Sequence, residues 1–325
     1  MTAAPVAVAL TMLLAFAPFD PAAAGRLFVS NERDNTVTVL DEETLAVIKT
    51  IPVGRRPRGI VITPDFKEVI VCAGDDDRLD VIDPVTMEVV RTLDSGPDPE
   101  LLDVDPRNER VYVANEDNAL VTIMERASGR VLAEVPVGVE PEGMHVNSTA
   151  TIAVATSEST SMTHFIDTRT FEVIANVLVD TRPREARFTP DDRFVWASAE
   201  IGGTVAVIDA QTHEIVHKFR FEIAGVRPEL IQPMGIRFTP DGKTAFVALG
   251  PANRLAVIDV GRRTVVDYIL VGQRPWHMTL TPDGSKLFVV NGLTNDMTVV
   301  DVAARKAVRS VPVGGQLPWG VVYKP

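Results

Sequence analysis

The sequence predicts an all-β chain folded as a seven-bladed β-propeller of four-stranded antiparallel blades, and three observations carry that prediction. First, an apolar run closed by an acidic residue recurs at Asp41, Asp83, Glu125, Asp167, Asp209, Asp259 and Asp301, with 42 residues at every step but one of 50. Second, the turn Thr-Pro-Asp at Pro64, Pro190, Pro240 and Pro282 keeps the same register, with Asp-Pro-Arg at Pro106 and Ser148 standing in the equivalent place of another copy. Third, each unit contains four short runs in which apolar residues alternate with polar or β-branched ones, as in Val69–Cys72, Leu79–Ile82, Glu88–Arg91 and Leu101–Val104. Four short strands in a repeat of about 40 residues is the unit of a propeller blade, and a fixed period is the sequence sign of such an array.

The connections fit the same scheme. Thr-Pro-Asp-Gly at 239–242 and 281–284 places Pro at the second and Gly at the fourth position of a type I turn. In Asp41-x-x-Thr44, Asp83-x-x-Thr86, Asp167-x-x-Thr170 and Asp209-x-x-Thr212 the carboxylate is spaced to accept local backbone amides in an Asx-type turn. The single long step marks an insertion near 224–231, immediately before an inner strand and on the channel-mouth face. The phase of the repeat also predicts closure. The chain enters on a second-strand run at Leu27-Phe28-Val29 and leaves on an innermost-strand run at Gly320-Val321-Val322-Tyr323, so the C-terminal strand completes the first blade and hides two sheet edges.

Composition narrows function. The 325 residues carry 32 Lys and Arg against 44 Asp and Glu, a formal charge of −12, which disfavours a phosphate-backbone partner. One Cys forms no intramolecular disulfide, no haem attachment site and no Cys-rich zinc site. The apolar run Val6–Ala17 followed by Ala22-Ala23-Ala24 predicts a signal peptide over 1–24, cleaved near Ala24, with a propeller domain over 25–325 exported to the periplasm or secreted. No apolar stretch of membrane-spanning length follows.

The runs Leu27-Phe28-Val29-Ser30-Asn31-Glu32-Arg33-Asp34-Asn35-Thr36-Val37-Thr38-Val39 and Val111-Tyr112-Val113-Ala114-Asn115-Glu116-Asp117-Asn118 resemble the YVTN-type β-propeller repeats. The segments Pro52-Val53-Gly54-Arg55-Arg56-Pro57-Arg58-Gly59 and Val137-Gly138-Val139-Glu140-Pro141-Glu142-Gly143 are similar to those of the exported pyrroloquinoline quinone (PQQ)-dependent catabolism-associated β-propeller proteins. The resemblance covers 26–325 and implies a periplasmic role beside a quinoprotein (PQQ-dependent) alcohol dehydrogenase or its cytochrome c. YVTN-like propellers also include lactonase relatives and a subunit of quinohaem amine dehydrogenases. Glu125, Ser148 and Thr149 depart from the repeat pattern without changing the count.

The default site in such a ring is the channel mouth, where the first residues of the innermost strands converge. Each of these strands opens on X-Pro-X, and the residue before Pro is expected to be extended. The residue after Pro reads Arg58, Glu100, Glu142, Arg184, Met234, Trp276 and Trp319 around the ring, and the residue before it Arg56, Asp98, Glu140, Arg182, Gln232, Arg274 and Leu317. Four successive strands are thus charged and three offer Met, Trp and Trp. Two readings compete. Arg58 with Glu100 and Arg184 with Glu142 pair across neighbouring blades and tie the ring, or an amphipathic ligand or a partner's loop docks with its apolar side on an exposed Trp276 and Trp319.

Acidic loops on the same face, with Glu32, Asp34, Asp75-Asp76-Asp77, Glu116-Asp117, Glu158 and Glu200, read as a solvated rim that also steers a basic partner. Of five histidines only His277, beside Trp276, is a candidate acid or base, and Cys72 takes a small-residue core slot shared with Ser30, Ala114, Thr156, Ser198, Ala248 and Val290. A lactonase or esterase alternative would use Glu100, Glu142 or His277 as base and Arg58 or Arg184 for the oxyanion. No metal site and no cofactor are expected, and a small-molecule ligand remains compatible with the mouth.

Overall fold

A computed structural model of the chain describes residues 25–325; the predicted signal peptide, 1–24, lies outside the described residues. Seven four-stranded antiparallel sheets form seven blades, each lettered A to D from the channel outward. The A strands of blades 2 to 7 are Pro57–Ile62, Pro99–Val104, Pro141–Val146, Pro183–Phe188, Ile236–Phe238 and Pro275–Leu280. Blade 1 is closed by the C-terminal strand Pro318–Lys324, which pairs with Arg26–Asn31 through Leu27–Tyr323, Phe28–Val322 and Val29–Val321. Each A strand contacts those of both neighbouring blades, so the ring is continuous. Among the described residues no helix is long and apolar enough to cross a membrane.

Burial explains why two strands of each blade read as nearly unbroken apolar runs. B and C strands such as Val69–Ala73 and Thr36–Asp41 are covered on both faces, because each blade packs against the next. Trp196 and Phe219 of blade 5, for example, share a core with Ile236, Val247 and Phe238 of blade 6. D strands such as Val47–Pro52 keep only an occasional inward residue and are otherwise exposed, which gives them their mixed composition. The turns form as the sequence indicates. The amides of Gly242 and Gly284 donate to the carbonyls of Thr239 and Thr281 at 2.8 Å, and Asp41 Oδ1 accepts from the Thr44 amide at 2.8 Å.

The backbone at the mouth differs from expectation. The residues before Pro in six A strands are left-handed rather than extended: Arg56, Asp98, Glu140, Arg182, Arg274 and Leu317 have φ between 49° and 61°. Hydrogen bonding holds them there. Each of their carbonyls accepts an amide from the B–C loop of its own blade, as in Glu116 N to Asp98 O and Glu158 N to Glu140 O, both 2.8 Å. Four of their own amides donate to a side chain of the preceding blade: Arg56 to Asn35, Asp98 to Asp77, Arg274 to Asn253 and Leu317 to Asn295, at 2.8–3.1 Å. These bonds offset a strain of about 1 kcal/mol per residue and lock each blade to its neighbour.

The next residue lies in a β-bulge. In blades 2, 3, 4, 5 and 7 the register slips just after Pro, so that two A-strand residues oppose one B-strand residue, and Trp319 is the extra residue in blade 1. A bulge re-aims a side chain, and the residues it re-aims are Arg58, Glu100, Glu142, Arg184, Trp276 and Trp319. Opposite the bulge, the hydroxyls of Ser30, Thr156 and Ser198 accept the amides of Gly320, Gly143 and Glu185 at 2.8–3.1 Å. The small-residue slot that also holds buried Cys72 is therefore, in three blades, a bulge cap.

Candidate functional site

The charged mouth residues form two ion-pair clusters. Arg58 contacts Glu100 at 2.7 Å and Glu32 at 2.9 Å, while Arg56 contacts Glu100 at 3.0 Å, Asp75 at 2.9 Å and Asp98. On the other side Arg184 binds Glu142 at 2.9 Å, Glu158 at 2.6 Å and Glu200 at 2.8 Å. Arg182 adds contacts to Glu158 and Glu200, and Arg274 meets Glu200 at 3.0 Å. Both expected inter-blade pairs, Arg58–Glu100 and Arg184–Glu142, are present. Several acidic loop residues expected on a solvated rim are instead the outer partners of these guanidiniums, and Glu158 and Glu200 are buried. The sequence hid this because loop acids and arginines before and after Pro lie 16 to 74 residues apart along the chain.

The apolar half is not an open platform. Trp276 and Trp319 stack with ring centroids 6.0 Å apart, yet they are only 9% and 1% exposed. Arg274 and Arg184 lie over Trp276, at 4.6 and 5.8 Å from its ring, and Arg58 lies 6.0 Å from Trp319. The two halves thus meet through cation–π contacts, each worth about 0.5–2 kcal/mol. Met234 is buried beside them, and its amide donates to Ala248 at 2.8 Å. The insertion at 224–231 shortens the blade 6 A strand to Ile236–Phe238; Ile231 anchors it in the blade 5–blade 6 core, and Gln232 accepts from Arg274 at 3.3 Å.

Charge at the mouth is unevenly matched. Glu116 and Glu140 take no ion pair among the described residues, although both lie among other carboxylates. Oxygens of Asp98, Glu100 and Glu116 stand within 4.8 Å of one another, as do those of Glu116, Glu140 and Glu158. Glu116 lies beside Glu100 and helps to raise it, and Glu142 Oε2 is buried with no hydrogen-bond partner. Burial pushes Glu100, Glu142 and Glu158 up to about 7 against the pull of their arginines, and mutual repulsion adds to the shift of Glu142 and Glu158. Glu200 moves the other way, because Arg184 and its neighbours outweigh its burial.

His277 is a poor base. Its ring packs 4.3 Å from Trp319, and burial pushes it down to about 3, so it stays neutral. His164 is structural: its Nε2 accepts the Gly138 amide at 3.0 Å and its Nδ1 faces Asn176.

The A strands also carry a deeper charged layer that the X-Pro-X reading did not reach. Glu185 and His277 occupy the second residue after Pro, where Gly59, Gly143 and Gly320 stand in other blades. A Cβ at Gly59 would sit 2.2 Å from the Glu100 carbonyl, so glycine there permits close approach of two inner strands. Two residues further on, the ring reads Val61, Asp103, His145, Arg187, Arg237, Thr279 and Val322. The period was sufficient to find these four consecutive ionisable positions by reading around the ring at a second depth.

Comparison with solved structures gives the same architecture. The chain matches Kuenenia stuttgartiensis hydrazine synthase at a TM-score of 0.79 and 19% identity, covering 86% of this chain and 92% of that one. A functionally unknown protein from Desulfotomaculum acetoxidans DSM 771 matches at 0.79 and 17% identity, over 92% and 98% of the two chains. A proposed 6-phosphogluconolactonase from Bacteroides fragilis NCTC 9343 matches at 0.77 and 16% identity, over 95% and 100%. Identities this low speak to fold alone. No curated protein matches the sequence. A model of the YNCE-like β-propellers matches residues 1–324, and the chain belongs to that family.

Proposed function

We propose that this chain is a binding propeller that receives a basic group of a partner at its mouth, and that it works as an exported accessory protein beside a quinoprotein alcohol-oxidation system. The observation that carries the binding reading is the unmatched carboxylate set around Glu116 and Glu140, next to Glu100, Glu158 and the unpartnered Glu142 Oε2. An ammonium or guanidinium brought there offsets the repulsion among these carboxylates and gains charge-assisted hydrogen bonds. The same negative face steers a basic partner on approach. The quinoprotein setting and export rest on the sequence resemblance and the apolar N-terminal run.

One observation favours the lactonase or esterase alternative: Glu100 and Glu142 are poised near 7, where a general base works best. The arrangement around them argues against it. The donors that would stabilise an oxyanion, on Arg58 and Arg184, are engaged with carboxylates, and His277 is held neutral and buried. The test pairs purified periplasmic cytochrome c and quinoprotein alcohol dehydrogenase, as binding partners, with a lactone and ester turnover assay on the same protein. Saturable binding weakened by Glu116→Gln/Glu140→Gln, without turnover, supports the accessory role. Turnover lost in Glu142→Gln would instead establish the hydrolase.

A further inference from the structure

We propose that the channel end opposite the mouth holds a small oxyanion, a carboxylate or a phosphate, between Arg187, Arg237 and His145. This site is independent of the mouth. The three side chains line a cavity of about 290 Å³ at the A–B turns of blades 4 to 6, together with Phe188, Phe238 and Pro190. Their side chains are 18–24% exposed, so the cavity reaches solvent while its walls are largely desolvated.

The donor count makes the case. Arg187 Nη2 and Arg237 Nη1 both lie on the same oxygen of Glu185, at 3.0 and 2.6 Å, so one carboxylate serves two guanidiniums. The other Glu185 oxygen is taken by the Ile236 amide. Arg187 Nη1 and Arg237 Nε and Nη2 make no hydrogen bond among the described residues, although each is an obligate donor. His145 adds another. The Phe188 amide donates to its Nδ1 at 3.3 Å, which places the ring proton on Nε2, and that N–H stands 3.9 Å from Asp103, beyond hydrogen-bond reach. An oxyanion in the cavity collects these unused donors, and two guanidinium forks suit the planar or tetrahedral oxygens of carboxylate and phosphate.

The surrounding ionisable groups set the pH dependence. Burial holds His145 and His277 neutral, and Glu185 stays ionised because Arg237 and Arg187 outweigh its burial. Asp103, pushed up to about 6 by burial, opposes an incoming anion when ionised. Asp192, at the cavity edge, is engaged with Ser148. Anion affinity therefore rises as pH falls through 6 and Asp103 loses its charge.

The experiment is a calorimetric titration of the full chain with succinate and, separately, inorganic phosphate, at constant ionic strength. Wild type is expected to bind at least one of them saturably, and the one bound identifies the oxyanion class. Arg187→Gln and Arg237→Gln, each leaving Glu185 one guanidinium, should weaken binding about tenfold or more. Asp103→Asn keeps the acceptor for the Val146 amide and should tighten binding at pH 7.5 while flattening the pH dependence. Absence of saturable binding of either anion up to tens of millimolar overturns the proposal. So does unchanged affinity in both arginine variants, or an Asp103→Asn variant that binds no more tightly than wild type. Neither result bears on the mouth.

Discussion

Replacing Arg184 by Met removes the guanidinium that holds Glu142, Glu158 and Glu200 together, all three of them buried. Arg182 and Arg274 still reach Glu158 and Glu200, but Glu142 has no other ion-pair partner among the described residues. Removing one partner of a buried ion pair costs about 3–5 kcal/mol, because the other charge is left without compensation. With an unfolding entropy of roughly 2.1 cal/mol/K per residue, a domain of about 300 residues loses about 5–8 °C of Tm. Differential scanning calorimetry at pH 8 reads that loss directly. At pH 5 the freed carboxyls take up protons, so the loss should shrink to less than half. Arg184→Lys, which keeps the charge but not the fork geometry, should fall between wild type and Met. A Tm loss under about 2 °C at pH 8, or an equal loss at pH 5 and pH 8, refutes the claim that this guanidinium neutralises the buried carboxylates.

Three further expectations follow from the same structure. Because Glu100, Glu142 and Glu158 sit near 7, against a usual 4.5, the folded chain binds more protons than the unfolded chain up to that pH. Histidines pushed down by burial oppose this below about 6.5. Between pH 7 and 8 the histidines are largely neutral in both states and the carboxyls dominate, so Tm should fall as pH rises, and fall less in Glu142→Gln; a flat or rising Tm in that window contradicts the assignment. Gly59→Ala places a Cβ 2.2 Å from the Glu100 carbonyl and should cost more than about 1–3 kcal/mol by denaturant titration; a neutral result would show that the inner strands can move apart. Deleting Trp319–Pro325 removes the strand that closes blade 1, and should abolish the cooperative calorimetric transition or drive association through the exposed edge. A monomeric, cooperatively folding truncation would show that closure is dispensable.

The fold was legible because the period is strict: one acidic marker and one turn marker in common register specify the blade count, and the phase specifies closure by the C-terminal strand. The site was legible in part. The X-Pro-X ring located the residues that meet at the mouth, including both arginine–glutamate pairs. Local backbone chemistry was less accessible. That residues such as Asp98 and Arg182 adopt φ near 49° and 61° depends on bonds from B–C loops and neighbouring blades, which a preference for extended pre-proline backbone does not include. The burial of Trp276 and Trp319 beneath arginines was hidden for a similar reason: in sequence Arg184 and Trp276 are remote, and only the ring places one over the other. The deeper layer of Asp103, His145, Arg187 and Arg237 escaped because the residue flanking Pro drew attention to a single depth of the channel.

The most direct test of the account is an equilibrium titration of the full chain with a lysine-rich peptide, at low and physiological ionic strength, against the Glu116→Gln/Glu140→Gln variant. The account predicts saturable binding that weakens with salt and loses about tenfold or more of its affinity in the variant. Equal affinity of wild type and variant, or no binding at low ionic strength, would contradict a mouth built to receive a basic partner.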